Sequence, residues 1–265
     1  MQPSEPDITP VEEPVSGLTQ RTVGGAGWTA VANIARQVLS IAGVAVLARR
    51  LGPGAYGVMG MAATATSLLT NFRDLGTAAA VIQRPRISAD LLSSLFWVNL
   101  GVGGLLTLVT VLVSGPVSSF FHTPELAAIL AVLSFSFLVQ SASTVHNALL
   151  NREMRLKAAA MVDIASAVAG YAIAIPMALR GFGVWSLVAA NLASPLVSTL
   201  MYWAVSGWLP SLRFKGAEIR GVAGFSLNLC GFGLVNYFAR NADNVIVGRY
   251  LGSGPLGNYQ MAYNL

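Results

Sequence analysis

Charged residues are scarce in this sequence. Asp, Glu, Lys and Arg make up 10% of its 265 residues, whereas hydrophobic residues make up 54%. A soluble globular domain carries about 25% charged residues. Long stretches also lack polar residues at the spacing that would give a helix or a strand a hydrated face. The composition therefore excludes an ordinary soluble domain and indicates a protein whose main solvent is lipid.

The residue types that build metal and disulfide sites are scarce as well. Cys230 is the only cysteine, so neither an internal disulfide nor a cysteine metal cluster can form. His122 and His146 lack metal-ligand spacing and are interpreted as a loop histidine and a helix-end histidine. The net charge of +5 comes from scattered basic residues without interleaved aromatics, which argues against nucleic acid as a partner. We expect no metal and no cofactor.

The chain begins with a polar segment. Its first sixteen residues hold four prolines and four acidic residues, a composition typical of disorder. The segment lacks the basic region of a signal peptide, so no cleavage is expected. Residues 1–20 are predicted to form a disordered acidic cytoplasmic tail.

Apolar runs of membrane-spanning length fill the rest of the chain. A helix needs about 20 apolar residues to cross about 30 Å of hydrocarbon. Because the alternating pattern of barrel strands is absent, the spans are predicted to be helices. We predict seven spans and the start of an eighth, over residues 27–48, 56–72, 91–114, 126–146, 158–179, 183–205, 221–247 and from 256 onward. The second span is short, and a continuation through residues 76–81 is left open.

Basic residues are distributed unevenly between the two sides of these spans. If the N terminus is cytoplasmic, ten basic residues lie in inner segments and four in outer loops. Lys and Arg are retained on the cytoplasmic side of a membrane. The sequence therefore predicts a multi-pass protein of the inner membrane with a cytoplasmic N terminus. The inner residues are Arg21, Arg73, Arg84, Arg86, Arg152, Arg155, Lys157, Arg213, Lys215 and Arg220, and the outer ones are Arg49, Arg50, Arg180 and Arg249.

A short segment occurs twice in the sequence. Residues 49–62 read RRLGPGAYGVMGMA and residues 249–262 read RYLGSGPLGNYQMA, with seven of fourteen positions identical and no gap. Six predicted spans separate the copies, so both return to the same side, as parallel repeats do. We predict an all-α integral membrane fold with a complete six-helix bundle over 21–206, and a linker with the start of a pseudo-twofold-related second bundle over 207–265. The chain is expected to be a fragment of a protein of about twelve or more spans.

Four stretches resemble a known family. They are ARRLGPGAYGVMGMA (48–62), NFRDLGTAAAVIQRP (71–85), LLNREMRLKA (149–158) and ARNADNVIVGRYLGSGPLGNYQMAYNL (239–265). Together they resemble the polysaccharide or O-antigen flippases of the multidrug/oligosaccharidyl-lipid/polysaccharide superfamily. The resemblance implies two six-helix bundles around a central cavity, alternating access, and an undecaprenyl-diphosphate-linked oligosaccharide as the substrate. It also implies the lipid bilayer and other polysaccharide-assembly membrane proteins as partners.

Ionisable residues inside spans mark candidate sites, because hydrocarbon is a costly environment for them. Arg36 lies near the middle of the first predicted span, and Asn33, Gln37 and Ser40 share its helix face. The 200-residue offset aligns this stripe with a second one in the seventh span. With the implied diphosphate substrate, both stripes become candidate binding sites, since the guanidinium fork suits phosphate oxygens. The predicted substrate-binding residues are Asn33, Arg36, Gln37, Asn236, Arg240 and Asp243.

Simpler roles for these residues stay open. Arg36 could be a structural arginine held between helices, and Asp243 could neutralise Arg240 three residues earlier. Asp163 is either a coupling carboxylate or a helix-end aspartate beside Lys157. Two other functions compete with the flippase. One is a drug/cation antiporter of the same superfamily, which would favour acidic cavity residues. The other is a membrane glycan polymerase or ligase, for which Glu125 is the only carboxylate in an outer loop.

Overall fold

The fold is described from a computed structural model, which covers residues 15–73, 77–84, 87–212, 237 and 241–263. These residues form helices and connecting turns, and no strand occurs among them. The helices are α1 (Val15–Arg73), α2 (Thr77–Gln83), α3 (Ala89–Phe121), α4 (Glu125–Ser141), α5 (Thr144–Arg152), α6 (Leu156–Leu179), α7 (Trp185–Ser206), α8 (241–250) and α9 (Ser253–Tyr263).

Helix α1 contains a sharp reversal at Gly52, between the first and second predicted spans. Gly52 has φ 71°, a left-handed conformation that glycine adopts without a steric penalty, and Pro53 starts the next helical segment, where its missing N–H costs nothing. The hydroxyl of Tyr56 lies 3.4 Å from the carbonyl oxygen of Val44. Twelve residues of straight helix would separate these groups by about 18 Å, so the two halves of α1 fold back on each other.

The second copy of the repeated segment makes the same kind of turn. Gly252, which corresponds to Gly52, has φ 84° and separates α8 from α9. The side-chain nitrogen Nε2 of Gln260 donates to the side-chain oxygen Oδ1 of Asn244 at 2.7 Å, so these two helices also fold back on each other. Helix α9 packs along α1. The repeated sequence therefore forms two similar hairpins that lie side by side.

The membrane-spanning character is confirmed by helix length and by the surface. Within the described residues, five helical stretches are long and apolar enough to cross a membrane: Asn33–Thr70, Ala89–Phe121, Glu125–Arg152, Leu156–Leu179 and Trp185–Ser206. Large aliphatic side chains such as Ile34, Leu112 and Leu200 are more than 60% exposed on the outer faces. Water would not solvate such a surface well, whereas lipid tails would. The predicted all-α integral membrane class is confirmed.

Several helix ends differ from the predicted span ends. Helix α3 continues through Pro116 to Phe121, beyond the predicted end at residue 114. Helix α4 ends at Ser141, and the chain turns where the Ser143 hydroxyl donates to the carbonyl of Gln140 at 2.9 Å, before α5 begins. Helix α1 begins at Val15, before the predicted start of the first bundle. Most of the seventh predicted span, 221–247, lies outside the described residues.

The interior is apolar where the helices meet. Helix α3 packs against α4, α6 against α7, and α1 against α6. The largest buried cluster among the described residues joins α1, α3, α4 and α7 to the second hairpin, because Leu256 of α9 is fully buried in it. Its other members are Val58, Met61, Ala62, Phe121, Leu126, Ile129, Leu130, Leu133, Val184 and Val188. The start of the second repeat is thus part of the same core as the first.

At the end of the bundle opposite Gly52, polar and aromatic contacts fix the short helices. Arg152 donates to the carbonyl oxygens of Val81 and Arg84 at 2.7 and 2.6 Å, where a cation stabilises the C-terminus of α2. His146 is fully buried, and its ring stacks on Trp203 with centroids 4.8 Å apart. Trp97 donates from its indole nitrogen to the carbonyl of Ser211 at 2.8 Å. This contact anchors the segment that follows α7 to α3.

Candidate functional site

The polar stripe of the first predicted span lines a cavity. Asn33, Arg36, Gln37 and Ser40 lie on one face of α1 and bound a space of about 480 Å³, together with Ala167 and Tyr171 of α6. The helical spacing of these residues is what places their side chains on a common face. The structure therefore brings three of the predicted binding residues, Asn33, Arg36 and Gln37, into one cavity.

Arg36 forms an ion pair with Asp163 of α6. The Nη1 atom of Arg36 lies 3.3 Å from Oδ2 of Asp163, and the two side chains are 48% and 42% exposed. The other carboxylate oxygen, Oδ1, accepts a hydrogen bond of 3.0 Å from the hydroxyl of Tyr202 on α7. Asp163 thus connects three helices. Among the ion pairs of the described residues, this one joins the positions farthest apart in sequence.

The simpler interpretation of Asp163 is a helix-end aspartate beside Lys157, but the structure gives these two residues different partners. The ammonium nitrogen of Lys157 lies 4.6 Å from the centroid of the Trp28 ring, a cation–π contact with the first half of α1. Asp163 contacts Arg36 and Tyr202 instead. Sequence reasoning missed this pairing because Arg36 and Asp163 are 127 residues apart, and only the packing of α1 on α6 brings them together.

A second cavity adjoins the first. It has a volume of about 580 Å³, lies between α1, α4, α6 and α7, and shares Ala167 and Tyr171 with the Arg36 cavity. Its polar lining includes Thr66, Thr70, Arg73, Ser136, Gln140, Asn191 and Ser194. The two cavities together form an extended, open space bounded by α1, α4, α6 and α7 that is partly polar and partly apolar.

Arg73 lies at one end of this second cavity. Its Nη1 atom donates to the side-chain oxygen of Gln140 on α4. Arg73 is one of the basic residues of the predicted inner segments and is not among the predicted substrate-binding residues. Helical spacing could have identified Arg73. It ends a series of residues three or four positions apart on one helix face, all of which line the cavity: Met59, Ala63, Thr66, Thr70 and Arg73.

The predicted residues of the second repeat are only partly described. The carboxylate of Asp243 accepts a hydrogen bond from the hydroxyl of Tyr259, so it joins α8 to α9. Asn236 and Arg240 lie outside the described residues. Their predicted role in substrate binding therefore stays a prediction.

Comparisons with known proteins bear on what this site does. A family model described as "Polysaccharide biosynthesis protein" matches residues 46–265. The lipopolysaccharide biosynthesis protein WzxC of Escherichia coli (strain K12) is 27% identical over 250 residues, which are 94% of this chain and 51% of that protein. The succinoglycan biosynthesis transport protein ExoT of Rhizobium meliloti (strain 1021) is 28% identical over 236 residues, which are 89% of this chain and 48% of that protein.

A third relative is the teichuronic acid biosynthesis protein TuaB of Bacillus subtilis (strain 168). It is 25% identical over 253 residues, which are 94% of this chain and 52% of that protein. The chain thus spans about half the length of the curated relatives it matches. No solved structure matches the chain significantly.

Proposed function

The chain belongs to the polysaccharide biosynthesis protein family, and on that basis we propose that it forms part of a flippase. The substrate we propose is an undecaprenyl-diphosphate-linked oligosaccharide, moved across the cytoplasmic membrane for the synthesis of lipopolysaccharide, capsule or exopolysaccharide. Its relatives carry names from several branches of polysaccharide biosynthesis, and one of them is named a transport protein. The lipid-linked oligosaccharide and the bilayer are the partners that this role requires, and other polysaccharide-assembly membrane proteins are candidates.

The observation that carries the proposal is the arginine in the wall of an open cavity between α1 and α6. A diphosphate crossing the membrane has about two negative charges, and burying them without a cation is prohibitive. Arg36 presents a planar fork of N–H donors beside Asn33 and Gln37 in a space of about 480 Å³. These side chains can hold a phosphate and the polar atoms next to it.

The adjoining cavity offers a place for the sugars. Its hydroxyl and amide side chains, such as those of Thr66, Thr70 and Asn191, can exchange hydrogen bonds with sugar hydroxyls. Tyr171, shared by both cavities, offers an aromatic face. Arg73 adds a second guanidinium at the far end. We propose that the substrate occupies both cavities, with its diphosphate near Arg36.

The rest of the predicted architecture belongs to the same proposal. Residues 21–206 would form the first six-helix bundle and residues 207–265 the start of the second. The N terminus would be cytoplasmic, and the two bundles would expose the site to one side of the inner membrane at a time. The similar hairpins at Gly52 and Gly252 support two related bundles, and the ten-to-four distribution of basic residues supports the orientation.

The test determines in which leaflet of the membrane lipid-linked oligosaccharide accumulates in a strain that lacks the protein. A flippase defect leaves it in the inner leaflet, and the protein in its full natural length should restore export. Accumulation in the outer leaflet would instead indicate the glycan polymerase or ligase alternative. Normal export together with new sensitivity to cationic drugs would indicate the antiporter alternative.

A further inference from the structure

We propose that Asp163 is the resident counterion of Arg36 and that an anionic ligand must compete with it for the guanidinium. The inference rests on the proposed function, because it concerns how a diphosphate enters the Arg36 cavity. In this role Asp163 lowers the affinity of the site for the anion. Its carboxylate neutralises the charge of Arg36 when the site is empty and competes with the anion when it binds. Without such a counterion, the site would bind a diphosphate more tightly and release it more slowly.

The geometry suits exchange. One nitrogen of Arg36, Nη1, contacts Asp163 at 3.3 Å, and nearly half of each side chain is exposed. Because so much of each side chain lies outside protein contacts, a ligand in the cavity can reach the pair without displacing surrounding protein. Arg36 also faces the cavity, whereas Asp163 does not line it. An anion in the cavity can therefore contact the guanidinium while the carboxylate is still in place, and the two negative charges then compete for it.

Asp163 keeps a second contact when Arg36 turns toward a ligand. Its Oδ1 atom accepts the 3.0 Å hydrogen bond from Tyr202, whose side chain is buried on α7. The charged and titratable groups near Asp163 are Arg36 on α1, Tyr202 on α7 and, on its own helix, Lys157, which lies over Trp28. The carboxylate thus keeps one hydrogen bond, at Oδ1, that does not involve Arg36, when Arg36 leaves Oδ2.

The chain offers a matched control. Glu153 and Arg155 form an ion pair with the same 3.3 Å separation and with side chains that are 49% and 43% exposed, in the turn before α6. Neither residue lines the two cavities of the proposed site. Glu153→Gln therefore removes a carboxylate from an equivalent pair without changing the cavity.

The experiment measures binding of inorganic pyrophosphate to the protein in its full natural length, purified in lipid nanodiscs, by isothermal titration calorimetry. Asp163→Asn should tighten binding by about two- to fivefold, the range expected for removing one half-exposed competing charge. Asp163→Glu, which keeps the charge, and Glu153→Gln should both bind like the wild type. Asp163→Ser removes the same charge and replaces the Asn variant if that variant does not fold.

The outcomes separate this inference from the proposed function. If wild-type protein binds pyrophosphate and Arg36→Ala does not, the result supports an anion-binding site at Arg36. Unchanged or weaker binding by Asp163→Asn would then overturn the counterion role and make Asp163 a residue that only positions Arg36. If wild type and Arg36→Ala both fail to bind, the anion site at Arg36 fails, and the counterion role fails with it.

Discussion

Gly57 and Gly257 each lie against the backbone of the other's repeat. A side chain at Gly57 would overlap the carbonyl group of Ser253, and one at Gly257 would overlap the carbonyl group of Pro53. Gly57 corresponds to Gly257, and Pro53 to Ser253, under the 200-residue offset of the repeated sequence, so the contact is reciprocal. Gly60 also faces its counterpart Gln260, but there an added Cβ atom would meet the side chain, 3.0 Å from Cγ. Reciprocal contacts of this kind are what a twofold axis generates between two equivalent surfaces.

The first prediction follows from this close approach. Gly57→Ala and Gly257→Ala should each destabilise the protein by about 1–3 kcal/mol, because the added methyl group meets backbone atoms that cannot rotate away. Gly54→Ala and Gly254→Ala are the matched controls, since a side chain at either position meets no atom within 4 Å. The measurement is unfolding of the purified full-length protein in increasing SDS. Equal midpoints for all four variants would show that the two hairpins do not pack as described.

The second prediction concerns Arg36 in the cell. Arg36→Ala should abolish polysaccharide export at normal abundance, because the diphosphate loses its charge-assisted hydrogen bonds. Arg36→Lys should restore export only in part, since a lysine lacks the planar fork. Export is measured in the deletion strain and abundance by immunoblot of membranes. Arg180→Ala, at an exposed loop position, is the control for loss of a positive charge. Normal export by Arg36→Ala would make Arg36 a structural residue.

The third prediction tests the adjoining cavity. Arg73→Ala should lower export by about tenfold or more, the effect of losing one charge-assisted hydrogen bond of about 1.5–3 kcal/mol. Gln140→Ala should have a smaller effect, because it removes only the contact that orients Arg73. Gln83→Ala, an exposed residue at the end of α2, should have none. If Arg73→Ala lowers abundance and export in proportion, the residue acts on folding and not on the substrate.

The fourth prediction concerns orientation. In a Cys230→Ala background, Ser119→Cys should react with a membrane-impermeant thiol reagent added to intact cells, whereas Leu212→Cys should react only after the cells are opened. Both positions are exposed, and they lie at opposite ends of the bundle, at the α3–α4 turn and after α7. The neighbouring Ser118 is a poorer probe because it is buried and its hydroxyl donates to the carbonyl of Thr123. The reverse labelling pattern would contradict a cytoplasmic N terminus.

Much of the fold could be predicted from local pattern. Run length identified the spans because a helix must cover a fixed thickness of hydrocarbon, and helices were required because lipid supplies no hydrogen bonds to the backbone. The turn at Gly52 and its counterpart at Gly252 lie within the repeated glycine segment, where the sequence supplies the residue type that adopts a positive φ most readily. The shared face of Asn33, Arg36 and Gln37 followed from helical spacing alone.

The tertiary structure decided what these local features contact. The pairing of Arg36 with Asp163, the bond from Arg73 to Gln140 and the contact of Gly57 with the second repeat join residues 67 or more positions apart. Helical spacing determines which side chains share a face. It does not determine which helix that face meets, because the meeting depends on how apolar ridges of all the helices interlock at once. Among the described residues, the sequence by itself therefore determined the spans, the turns and the polar stripe of the first span, and only packing decided which side chains of different helices meet.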